Sequence, residues 1–214
     1  MKNNHLLILG VILVVYFILD TLIPGGGLIL YPIKLFVTFI HEFGHAFGNV
    51  ITGGDVAYLQ VNSDGSGVTG TIGGNRAVTI MGGYLGSALF GNILLYLGIR
   101  KPKASKITLM VIAGIMLVSS LMWFSTAFNL IFIILFSAAL ILISLKESIC
   151  QYVLMFLGGA SVLYVISDFN VGPSSDLNAF AEVWGLTQSI WMYIWLGIVL
   201  AMTYFNLKSI IRKS

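Results

Sequence analysis

Residues 41–45 read His41-Glu42-Phe43-Gly44-His45, and this one turn holds two of the chain's three histidines with a glutamate between them. Histidines at i and i+4 lie on a single helix face, close enough for both imidazoles to bind one zinc ion. The glutamate between them projects beside the metal, where it can take a proton from a water that zinc has acidified towards neutral pKa. A metal-activated hydrolase needs those three roles. With three histidines and three glutamates in 214 residues, a chance match to the pattern is on the order of one in two thousand. Ionisable groups within a membrane span cost roughly 2.5–3.5 kcal/mol each on insertion scales, so they are rare and usually functional.

Catalytic zinc takes three protein ligands and leaves one position for water. The remaining histidine, His5, reads as a solvated terminal residue. A third ligand must then come from Asp20, Asp55, Asp64, Asp168 or Asp176. Asp55 and Asp64 fall in a turn-rich segment and read as turn residues, and Asp20 as an interfacial one. Asp168 and Asp176 belong to a polar loop that can dip back towards His41, which lies roughly 16 Å below the surface where its helix ends. Irregular backbone is tolerated at that depth when it lines a wet cavity.

The elements that position these residues are membrane helices. The chain is 58% hydrophobic and 9% charged, with a mean hydropathy of +0.99, against about half apolar and a quarter charged in soluble domains. Soluble and disordered classes are both excluded. One cysteine, Cys150, rules out an intrachain disulfide. The net charge of +3 is too small to suggest nucleic acid.

Apolar runs long enough for a bilayer of about 30 Å fall at about 6–23, 28–52, 78–99, 107–124, 127–145, 149–167 and 190–207. Ser125-Thr126 is the only polar pause between the fourth and fifth. The first run lacks a small-x-small cleavage site and reads as an uncleaved span. The expected fold is an all-α polytopic membrane protein with about six to seven transmembrane helices and one small β-hairpin after the zinc-binding helix. Residues 1–214 form one domain, multi-pass and expected in the cell membrane.

Residues 53–77 carry alternating runs, Val56 to Val61 and Val68 to Ile72, around Asn62-Ser63-Asp64-Gly65-Ser66-Gly67, which is the hairpin. Residues 168–189 form the polar loop, with a short helix from Leu177 capped by Ser174, Ser175 or Asp176. Gly82, Gly83, Gly86 and Gly91 have spacing that lets helices approach closely, and Gly53-Gly54 ends the second span. Trp184, Trp191, Tyr193 and Trp195 read as an interfacial belt, and Lys34 as a snorkelling residue. Basic residues Arg100, Lys101, Lys103, Lys106, Lys146, Lys208, Arg212 and Lys213 share one side if seven spans are present, which places that side in the cytoplasm. The hairpin and the 168–189 loop then share the other side.

HEFGH within a span, the DGSG of 64–67 and the GGYLGSALFGN of 82–92 resemble the site-2 protease class of intramembrane zinc metalloproteases, and more narrowly its M50B-like peptidase group. The similarity is strongest over about 37–98 and returns over 167–196, where SSDLNAFAEVWGL resembles the group's Ser-Asp segment. The resemblance implies zinc held by His41 and His45, Glu42 as general base, and Asp176 as third ligand. Typical members place that aspartate in an Asp-Gly motif within a later span, and this chain has no Asn-Pro…Asp-Gly motif. They also usually turn the hairpin towards the cytosol, opposite to the charge reading.

The expected activity is intramembrane zinc endopeptidase, acting on a transmembrane or membrane-associated protein in the lipid bilayer. The spans around His41 should enclose a polar cavity, and the hairpin could pair an edge strand with an unwound substrate. The alternatives are a non-proteolytic membrane scaffold or regulator that keeps the metal site, and a metal-ion transporter. The intact Glu42 argues against the first. The scarcity of acids and histidines in the other spans argues against the second.

Overall fold

The computed structural model describes residues 4–167, 169, 172, 173 and 175–212, without the side chains of residues 4–6, 8, 9, 12, 20 and 212. Asp168 and Ser174, and the side chains of His5 and Asp20, lie outside the described residues.

The chain opens with α1 (Asn4–Thr21), a short α2 (Gly26–Ile29) and the motif helix α3 (Tyr31–Val50). Strands β1 (Asp55–Val61) and β2 (Gly67–Ile72) follow, then α4 (Arg76–Met81), a π-helical turn (Gly82–Gly86) and α5 (Ser87–Arg100) in one continuous run. The remainder is α6 (Ser105–Met122), α7 (Ala127–Ser144), α8 (Glu147–Ser167), α9 (Asp176–Trp184) and α10 (Gln188–Arg212).

Among the described residues, five helical stretches are long and apolar enough to cross a membrane: Arg76–Arg100, Pro102–Met122, Ala127–Ser144, Glu147–Ser167 and Gln188–Ile211. The protein is an integral, multi-pass membrane protein. The expected six to seven is slightly high against this count of the described residues. The run expected at 28–52 is two helices parted at Leu30. The longer one, α3, carries Lys34, His41, Glu42, His45 and Asn49, which dilute its hydropathy. The 107–145 stretch does divide near its polar pause, where Thr126 caps α7 by accepting from the Asn129 N–H.

Helix α3 runs through the core, with Phe36, Val37 and Ala46 fully buried and Phe39 nearly so. Its end is set by Gly53, whose φ of +84° reverses the chain while the Gly53 and Gly54 N–H groups donate to the Val50 and Asn49 carbonyls. A positive φ costs glycine nothing. The hairpin is antiparallel, with Leu59 opposite Thr69 and Val61 opposite Gly67. It lies back along α3, held by Tyr31 Oη donating to the Ser63 carbonyl at 2.6 Å and Thr38 Oγ1 donating to the Gly65 carbonyl at 2.8 Å.

Trp195 is not part of an interfacial belt. It is 1% exposed, with its ring 6.0 Å from Tyr84 and 5.0 Å from Phe180, because α9 and α10 close over the π-helical turn. Trp184 and Tyr193 are exposed, as an interfacial reading requires.

Candidate metal centre

Three side chains from two distant segments meet beside α3. His41 Nε2 lies 3.0 Å from Asp176 Oδ2, His45 Nε2 lies 3.1 Å from the same oxygen, and the two Nε2 atoms are 3.1 Å apart. The histidines share a face because they are one turn apart on α3. Asp176 arrives as the first residue of α9, whose N-cap Ser175 accepts from the Asn178 N–H and donates to the Gly172 carbonyl at 2.8 Å. Leu177 and Phe180 are buried beneath that helix. Burial alone would raise the Asp176 carboxyl, but hydrogen bonds and charge from His41 and His45 hold it well below the usual carboxylate range.

The chemistry of this trio fits a divalent cation. His45 Nδ1 is 2.8 Å from the Thr79 carbonyl, which can only accept, so Nδ1 carries a proton, and release of the second proton from Nε2 would free that lone pair for a metal. A second partner that fixes the tautomer is the usual companion of a metal-binding histidine. Two imidazole nitrogens and a carboxylate oxygen then face one another at about the edge length of a tetrahedron with bonds of roughly 2.0–2.1 Å. His41, His45 and Asp176 retain 15%, 11% and 25% exposure of their side chains, so a further coordination position can reach water.

The π-helical turn makes room for the trio. A Cβ at Gly83 would lie 2.5 Å from His45 Cε1 and 2.7 Å from His41 Nε2. Gly44 and Gly82 let the two backbones touch, and any side chain there would meet main-chain atoms. Of the glycines read as packing residues, Gly91 serves another contact, facing the Gly158 carbonyl of α8. Tyr84 stands edge-on to the His41 ring at 4.8 Å. Extra-residue turns of this kind are frequent at functional sites.

Glu42 is buried, and its Oε2 accepts from Thr69 Oγ1 at 2.7 Å. Thr69 also donates to the Glu42 carbonyl at 3.0 Å. Glu42 and the trio line one cavity of about 770 Å³, closed in part by Asp64–Thr69 of the hairpin and by Ser175. Lys34 also lines it rather than only reaching for the interface. Asp64 does turn work, its Oδ1 accepting from the Ser66 N–H at 2.9 Å and Oγ at 2.7 Å. Those two bonds lower its pKa.

A family model described as Peptidase M50B-like matches residues 7–206. The chain belongs to that family. No curated protein and no solved structure matches it. Membership of a peptidase family suggests a metallopeptidase, and His41, His45 and Asp176 are, among the described residues, the group able to hold its metal. Sequence reasoning missed Thr69, Thr79 and Asn49, and read Gly83 as a packing residue only. Asn49 had a signal, because it continues the four-residue spacing of His41 and His45. It is fully buried and joins the Asp55 carbonyl at 2.8 Å to Thr79 Oγ1 at 3.1 Å. The others act through main-chain or cross-element contacts that spacing does not reveal.

Proposed function

We propose that residues 1–214 act as one membrane-embedded zinc endopeptidase that hydrolyses peptide bonds of membrane protein substrates. His41, His45 and Asp176 serve as ligands and Glu42 as the general base. The observation that carries this reading is the convergence of His41, His45 and Asp176 on the wall of a polar cavity that Glu42 also lines. Zinc is the metal typical of the family. When bound, it supplies a Lewis acid for the scissile carbonyl and acidity to a water.

The chain's own residues account for the rest. Thr69 engages Glu42 Oε2, which leaves Oε1 to take the proton of the attacking water. The same carboxyl then gives that proton to the departing amine. A helical substrate hides its carbonyls in its own hydrogen bonds and has to unwind first. Strand β2 supplies residues 67–69 and Thr71 to the cavity, and its open edge can pair with the extended segment.

Glu42→Gln tests the reading in reconstituted full-length protein with a membrane-spanning peptide. The variant should keep zinc at the wild-type ratio while cleavage falls by about 10²–10⁴. Cleavage at the wild-type rate would refute the base role.

A further inference from the structure

Asn129 is a buried polar residue that the chemistry above does not use, 1% exposed in the first turn of α7. Its Nδ2 donates to the Leu59 carbonyl at 3.0 Å and to Ser125 Oγ at 3.2 Å. Its Oδ1 accepts from the Val61 N–H at 3.2 Å. The Leu59 N–H in turn donates to the Trp123 carbonyl at 3.1 Å. The side of β1 that faces away from β2 is thus satisfied at Leu59 and Val61, much as a third strand would satisfy it. A lone two-stranded hairpin is marginally stable at best, and α7 is thus a second neighbour that holds it beside α3.

The register carries that grip to Glu42. Leu59 is paired with Thr69 and Val61 with Gly67. Thr69 holds Glu42 Oε2 at 2.7 Å. Gly67 lies so near that a Cβ there would stand 2.5 Å from Glu42 Oε1 and 2.6 Å from its Cγ. The two β1 residues that Asn129 grips are the cross-strand partners of the two β2 residues that touch the carboxylate.

We propose that Asn129 is a positioning residue for Glu42, acting through the paired strands. It sets the depth and register at which Thr69 and Gly67 hold the carboxylate, and it leaves β2 as the open edge. The proposal rests on Glu42 acting as the base, and a readout independent of catalysis separates the two claims.

The test uses full-length protein in lipid nanodiscs, with Asn129→Ala, Asn129→Leu, Thr69→Val and the Asn129→Leu/Thr69→Val double variant. Asn129→Leu keeps the branched outline of the side chain, so it removes the bonds without opening a cavity. Amide exchange over residues 64–72 should rise roughly tenfold in the Asn129 variants, matching the loss of a buried pair of bonds, while exchange in α8 and zinc content stay at wild-type values. Turnover of a membrane-spanning peptide should fall about 10- to 100-fold, the scale of a small misplacement of a catalytic group. The double variant should lose no more than the worse single variant, because both cut one chain of contacts.

Unchanged exchange over 64–72, a rise spread through the whole chain, or multiplicative losses in the double variant would each overturn the proposal. If wild-type protein shows no cleavage, the endopeptidase reading fails while the exchange comparison still decides whether Asn129 holds the hairpin.

Discussion

A methyl group at position 83 would collide with both imidazoles of the candidate centre, so the absence of a side chain there is itself part of the site. Gly83→Ala should push the His41 and His45 rings off their meeting point with Asp176. A loss of zinc affinity of about 10- to 100-fold is expected, the cost of disturbing what orients a ligand. Competition against a chromophoric chelator measures it, and an unchanged affinity would show that the rings move aside freely. At this scale the HEFGH turn was legible because helix periodicity alone brings His41 and His45 together. Gly83 was read only as a packing residue, since its contact with the rings depends on how the π-helical turn meets α3. Thr79 was hidden for a related reason: it contributes its backbone carbonyl to His45, and any residue type has one.

Helix α9 is the element on which the third ligand depends. It is nine residues long, too short to be stable alone, so its packing has to hold Asp176 in place. Phe180 is 3% exposed, edge-on to Trp191 at 4.7 Å and to Trp195 at 5.0 Å. On the rim, Arg76 meets Glu182 at 3.5 Å with both side chains more than half exposed, a contact worth little by comparison. Phe180→Ala should therefore cost about 3–5 kcal/mol of local packing and weaken zinc retention, whereas Glu182→Gln should leave it unchanged. Equal retention in the two variants would mean that Asp176 does not depend on the α9 core. The hairpin and the α6–α7 boundary could be read from alternation and from Ser125-Thr126. Among the described residues the helix with the site does not count as a span, because the polar residues that dilute its hydropathy belong to a cavity.

Across the whole molecule, the positions of the charges and of the site agree. Four of the five candidate spans lie between the hairpin and α9, which returns the chain to the same side and explains how Asp176 reaches His41. Arg100, Lys101 and Lys103 lie at the junction of the first and second of these spans, Lys146 between the third and fourth, and Lys208 in the last turn of the fifth, hence towards the opposite side. If the positive-inside rule governs this chain, that side is cytoplasmic and the hairpin faces outside, which labelling tests. With the buried Cys150 replaced by alanine, Ser63→Cys should react with a membrane-impermeant maleimide in intact cells and Lys103→Cys only after lysis. The reverse pattern would favour the orientation usual in site-2 proteases. The joining of α3 to α9 could not be read from spacing, because 135 residues separate His41 from Asp176 and only the packing of the helices between them brings the two together.

The most direct measurement is the metal content of purified full-length protein after stringent dialysis, wild type beside Asp176→Ala. The account predicts one zinc per wild-type chain, and its loss when the carboxylate is removed while the fold persists. Wild-type protein without bound metal, or an Asp176→Ala variant that keeps it, would contradict the claim that His41, His45 and Asp176 form a metal centre.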